Sequence, residues 1–106
     1  MSRHHDKLES AVGELAAEFL ERESDRTSLI TVTNTRLSDD LRRATVLISV
    51  FPEAQEEVAL NFARRHGATL QEFLRKKLRA RGIPFIDFAL DRGEKNRQRL
   101  DELSQP

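Results

Sequence analysis

The chemically capable side chains of this chain are mostly cations, and they crowd into one stretch. NFARRHGATLQEFLRKKLRAR, residues 61–81, carries Arg64 and Arg65, then His66 and Gly67, then Arg75, Lys76, Lys77, Arg79 and Arg81. Guanidinium and ammonium groups at this density suit phosphate oxygens, because each neutralised phosphate releases condensed counterions. Such contacts give affinity with little sequence selectivity. A solvated helix face has the same composition, so only part of the set is expected to touch a polyanion. Lys77 lies nearest the apolar stripe of its segment and is expected to snorkel. His66 is suited to stacking or to donating to a phosphate; its alternative role is to cap a helix C-terminus.

The other reactive groups are sparse. Asp39 and Asp40 invite an acid–base or metal reading, but the motif holds no histidine and no third carboxylate. Aspartate in a turn ordinarily bonds the backbone, and Arg42 is expected to pair with one of the two. His4 and His5 offer adventitious metal binding at most, at a terminus expected to be mobile. No Ser-His-Asp grouping, P-loop or dinucleotide fingerprint occurs. Cysteine is absent, which excludes disulfides and thiolate zinc sites. No enzymatic activity, metal or cofactor is expected.

The elements that must hold the cations are legible from periodicity. Leu8, Val12, Leu15 and Phe19 line one stripe of a helix over residues 4–23, in which Gly13 is a weak point. LITVTNTRLS (29–38) and ATVLISVF (44–51) read as strands joined by the turn SDDLRR, hence antiparallel. Ala44, Val46, Ile48 and Val50 share one face of the second strand. A second helix is expected over 54–66, with Val58, Ala59, Phe62 and Ala63 inward. A third is expected over 69–80, with Leu70, Phe73, Leu74 and Leu78 inward. IPFIDFAL (83–90) is the third strand, and a last helical turn is expected around Leu100 and Leu103. All the phenylalanines fall on apolar stripes, so they are read as core, with no exposed stacking platform.

Gly67 sits where the second helix should give way to the third. A glycine inside a helix costs about 1 kcal/mol relative to alanine. The expectation is therefore a bend, with Gly67 in the left-handed conformation closing one helix and Ala68-Thr69 opening the next. The free N–H groups of the new helix would then lie beside Arg64, Arg65 and His66 and suit a phosphate.

Charge is distributed unevenly. The formal net charge of the 106 residues is zero, yet residues 1–63 sum to −5 (7 Lys/Arg, 12 Asp/Glu) and residues 64–99 to +7 (11 and 4). The last seven residues contribute −2. A chain polarised in this way can present a cationic face while remaining soluble. No apolar run approaches the roughly 18 residues of a membrane span. MSRHHDKLES has no apolar signal region, so a cytoplasmic location is expected.

Three stretches carry a family resemblance: ITVT in the first strand, LSDDLRRATVLISVF across the turn and second strand, and LRARGIPFIDFALD into the third. With GELAAEFLERESDR before them and RLDEL (99–103) after, the chain resembles ribosome-binding factor A over about residues 8–103. The resemblance implies an α+β fold: a single KH-type (type II-like) domain, α-β-β-α-kink-α-β, with a three-stranded mixed sheet and helices packed on one face. The ordered core would be about 5–91 and residues 92–106 a charged tail. It implies a non-enzymatic, monomeric, RNA-binding assembly factor for late maturation of the small ribosomal subunit. Such a factor binds precursor ribosomal RNA and assists processing of its 5′ end. In KH folds the connection between the two central helices clamps a nucleic-acid backbone. The candidate RNA contacts here are Arg64, Arg65, His66, Gly67, Arg75, Lys76, Lys77, Arg79 and Arg81. The kink reads His66-Gly67-Ala68, one position displaced from the family's Ala-x-Gly, and the D-P-R motif is reduced to Asp25-Arg26. Lys95, Asn96 and Arg97 replace the family's usual acid and glycine before RLDEL. The competing readings are a DNA-binding module and a domain that meets an acidic protein partner.

Overall fold

A computed structural model describes residues 3–24, 27–78 and 82–93. The elements are α1 (Arg3–Glu23), β1 (Leu29–Leu37), β2 (Arg43–Phe51), a short 3-10 turn (Glu53–Gln55), α2 (Glu56–Arg65), α3 (Gly67–Lys77) and β3 (Phe85–Leu90). The expected order holds, with boundaries shifted by at most three residues. The expected helical turn at Leu100 and Leu103 lies outside the described residues.

The sheet runs β1-β2-β3. β1 and β2 are antiparallel through a short turn, and β3 lies parallel to β2 after the helical crossover. Alternation along β2 puts Ala44, Val46, Ile48 and Val50 inward, all at most 4% exposed. Ile86 and Phe88 continue that face on β3. The helices cover it and leave the opposite face bare. Of the predicted α1 stripe, Val12 and Phe19 are buried and Leu8 and Leu15 pack half-buried against the core; Ala16 and Leu20 complete the buried line, joined by Leu70 and Leu74 of α3. From α2 come Ala59 and Ala63, whose small side chains let the helix approach closely.

β1 carries an irregularity that corrects its own phase. Val32 pairs with Ile48 and Asn34 with Leu47, so Thr33 is an extra residue. Before it, Ile30 and Val32 are the half-buried positions; after it, Thr35 and Leu37 are buried. Val32 and Leu37 are an odd number of positions apart, so the bulge lets both face the helices.

Several details depart from the sequence expectations. His5 is not at a loose end: it is buried within α1, and its Nε2 lies 2.8 Å from the Leu37 carbonyl. Glu9 Oε2 accepts the Leu37 N–H at 2.8 Å, so α1 covers the far end of the β1 edge. Gly13, expected to weaken α1, is demanded by packing: a Cβ there would fall 2.6 Å from Thr35 Oγ1. Val58, expected inward, is 61% exposed, because Ala59 and Ala63 alone define the buried line of α2. Phe51 and Phe85, read as core, are 72% and 60% exposed on the bare sheet face.

The SDDLRR turn is held locally. Asp40 Oδ1 accepts from Ser38 Oγ at 2.7 Å and from the Arg42 N–H at 3.1 Å. Those bonds, led by the Ser38 hydroxyl, hold the Asp40 carboxyl below its ordinary value. Arg42 engages Asp40 mainly through its backbone N–H, with charge attraction as a lesser contribution, in place of the side-chain pair expected. Leu41 closes the turn at φ 64°, a conformation unusual for a side chain of its size, while packing against the core. The stretch most specific to the resembled family is therefore architectural.

Candidate nucleic-acid interface

α2 and α3 are separated by a single residue. His66 has φ −96° and ψ 8°, outside the helical values, and both helices end on it. Its N–H bonds the Ala63 carbonyl at 3.1 Å, and its own carbonyl accepts the Leu70 N–H at 2.8 Å. The backbone therefore bends without losing hydrogen-bond continuity. The bend is at His66 and not at Gly67. No described glycine has positive φ, and Gly67 is the first helical residue of α3. The left-handed closure expected at Gly67 is overturned because the junction needs only one bridge-region residue, which histidine supplies. No side-chain cap supports the start of α3, from Thr69 or any other residue.

His66 is fixed from two sides. Its Nδ1 lies 2.8 Å from the Phe62 carbonyl, to which it donates. Its ring lies 4.4 Å from that of Phe62 and 6.4 Å from that of Phe19. This is the C-terminal capping role weighed for it, reinforced by ring contacts that tie the bend to α1.

The cations leave the helices in distinct groups. Arg64 turns to β3: its guanidinium donates to the Phe88 carbonyl at 3.2 Å and lies 3.7 Å from the Asp87 carboxylate. Arg65 lines the outer surface of α2 with Val58 and Asn61 and borders the cleft toward Ser24 and Ser28. Arg75 is paired with Glu72 one turn earlier. Lys77 lies 5.7 Å from the Phe73 ring, the snorkelling disposition expected of it, and Arg22 of α1 lies over the same ring at 5.4 Å. Lys76 is exposed. Arg79 and Arg81 fall outside the described residues.

These contacts rank the set. Exposed pairs are worth little, so Arg75 can exchange Glu72 for a phosphate at small cost. Arg64 would give up two partners on β3. Arg65 and Lys76 have the least to surrender. Sequence reasoning missed Arg22, whose role depends on α1 and α3 meeting across Phe73. It also missed Arg36, Arg43 and the exposed Phe85, which share the bare sheet face. The alternation of β2 placed Arg43 opposite the core residues, so that signal was available. Among the described residues no group of three or more potential metal ligands occurs, and no helix is long and apolar enough to cross a membrane.

Comparison with known proteins is consistent with this architecture. The family model described as ribosome-binding factor A matches residues 4–104. Ribosome-binding factor A of Thermobifida fusca is 33% identical over 100 residues, covering 92% of this chain and 66% of the relative. The chain thus spans about two thirds of that relative's length. The crystal structure of ribosome-binding factor A from Thermus thermophilus superposes with TM-score 0.76 at 30% identity, covering 84% of this chain and 97% of the other. A Thermus thermophilus homology model fitted into the cryo-electron-microscopy map of a complex of the 30S particle with that factor gives TM-score 0.71 at 31% identity, covering 80% and 92%. The fold is the KH-like α+β arrangement of these structures. On sequence match and superposition together, this chain belongs to the ribosome-binding factor A family.

Proposed function

We propose that the chain is an RNA-binding assembly factor of the small ribosomal subunit. It acts in late maturation, binds precursor ribosomal RNA, assists processing of its 5′ end, and does so without catalysis of its own, as a cytoplasmic monomer. One observation carries the reading: 80% of the chain superposes, with TM-score 0.71, on a relative fitted into the map of a 30S complex. The physical support is the cation supply around the α2–α3 bend. Arg64 and Arg65 close α2, and Arg75, Lys76 and Lys77 close α3. These five, with His66 and Gly67 between them and Arg79 and Arg81 beyond, form the proposed backbone-contacting set.

Phosphate contacts of this kind make affinity fall steeply with salt. The test is sedimentation of a lysate at low salt. Co-migration with free or immature small subunits is the expected result. Migration only with soluble protein, or with DNA, would overturn the reading in favour of a different partner.

A further inference from the structure

The bare face of the sheet holds a second cationic site, built around an exposed aromatic ring. Register places Arg43 beside Phe85 and Arg36 beside Thr45, two residues further along β2. Alternation directs Arg36, Arg43 and Phe85 away from the helices, and all three are exposed. The Arg43 guanidinium carbon lies 6.0 Å from the centroid of the Phe85 ring. At a strand spacing of about 4.8 Å and a rise of about 3.4 Å per residue, Arg36 lies two strands across and two residues along from Phe85, about 12 Å away, within reach of the phosphate next to a base stacked there.

We propose that Arg36, Arg43 and Phe85 form a stacking platform for an unpaired base of single-stranded RNA, on the face opposite the helical bend. The proposal rests on the RNA-binding reading above and adds a second surface to it. An exposed ring flanked by guanidinium groups is the arrangement that single-strand binders use, because every base offers a π-face and every nucleotide a phosphate. The nearby acids do not cancel the site. Asp87, two residues along β3, is offset by Arg64 at 3.7 Å, and the Asp40 carboxylate, though charged, is turned into its own loop toward the Ser38 hydroxyl and the Arg42 N–H. The other exposed ring of this face, Phe51, serves as the contrast. It is more exposed than Phe85, but its cleft is bordered by Glu21, it lies two residues from Glu53, and no cation lines that cleft among the described residues.

The chain contains no tryptophan and no tyrosine, which permits a direct test. Phe85→Trp introduces a lone fluorophore at the platform, and Phe51→Trp introduces one at the far end of the same face. Each protein is titrated with a short unstructured RNA carrying a dye, whose anisotropy reports binding independently of the tryptophan. The same RNA annealed to its complement is the duplex control. The expected result is strong quenching of the Phe85→Trp protein by the single strand, little by the duplex, and little for Phe51→Trp with either. Phe85→Ala should weaken single-strand binding about tenfold or more, with Phe85→Tyr restoring it. Bound RNA by anisotropy with an unquenched Phe85→Trp signal would overturn the platform and leave RNA binding intact. No anisotropy change in any variant would overturn RNA binding itself, and the platform with it.

Discussion

Gly13 of α1 and Thr35 of β1 approach so closely that position 13 has no room for a Cβ. A Cβ at position 13 would meet Thr35 Oγ1 at 2.6 Å, and Thr35 is itself buried. The contact sets the separation of the first helix from the strand it covers. Gly13→Ala is therefore expected to destabilise by about 1–3 kcal/mol despite alanine's higher helix propensity. Thr35→Ala should recover part of that loss. Denaturant unfolding of both single variants and the double variant measures the coupling, and strict additivity would argue against the contact.

Gly67 should behave in the opposite way. Its φ is not positive, and an added Cβ would meet only the Ile86 carbonyl at 3.8 Å, an ordinary contact. Gly67→Ala is expected to leave stability unchanged or raise it by up to about 1 kcal/mol. A loss of more than about 1 kcal/mol in thermal or denaturant unfolding would return the conformational role to the glycine.

The turn at Asp40 predicts a pH dependence. Its carboxyl is held below the ordinary value of 3.8 by the Ser38 hydroxyl and the Arg42 N–H. A depressed folded pKa stabilises fully above the ordinary value, and that contribution disappears as pH falls through the folded pKa. Wild type should thus exceed Asp40→Ala in stability at neutral pH, with the gap closing below pH 3.8. Parallel melting curves across that window check it; a gap independent of pH would point to packing instead of charge.

The cation groups should differ in their effect on RNA binding. Reversal of Arg75 and Lys76 to glutamate should weaken binding and reduce the slope of log affinity against log salt by about 1–2, since each single-strand phosphate contributes about 0.7. Arg65→Ala should reduce the slope more than Arg64→Ala, because Arg64 is committed to Phe88 and Asp87. Asp87→Asn should raise affinity modestly by releasing Arg64. Equal slopes for all variants would place the phosphate contacts on another surface.

Periodicity carried most of the architecture because it records which side of each element meets the core. The stripe of Val12, Ala16 and Phe19, and the alternation from Ala44 to Val50, translate directly into burial. Features set by a neighbouring element left no such trace. Gly13 reads as a defect until Thr35 is placed against it. His5 reads as a loose terminus until the Leu37 carbonyl is seen beside it. Phe85 reads as core because its strand is apolar, yet strand parity, counted from Arg43, turns it outward. For the candidate interface, the run of cations along the chain and the break between the two helices were both legible, whereas the division of those cations into separate groups was not. Which residue bends was not, because histidine and glycine can each sit in a one-residue junction and only the dihedral angles distinguish them.

The extra residue at Thr33 has a consequence for how this chain can change length. It divides β1 into two segments of opposite parity in the numbering, and deleting it would set Val32 directly before Asn34, opposite Ile48 and Leu47, leaving an unbroken alternation with Ile30, Val32, Thr35 and Leu37 all inward. Thr33 is thus a place between Ile30 and Leu37 where β1 can lose one residue without turning a core side chain outward. Other drift in length is left to the connection ahead of β1, where no sheet register has to be kept.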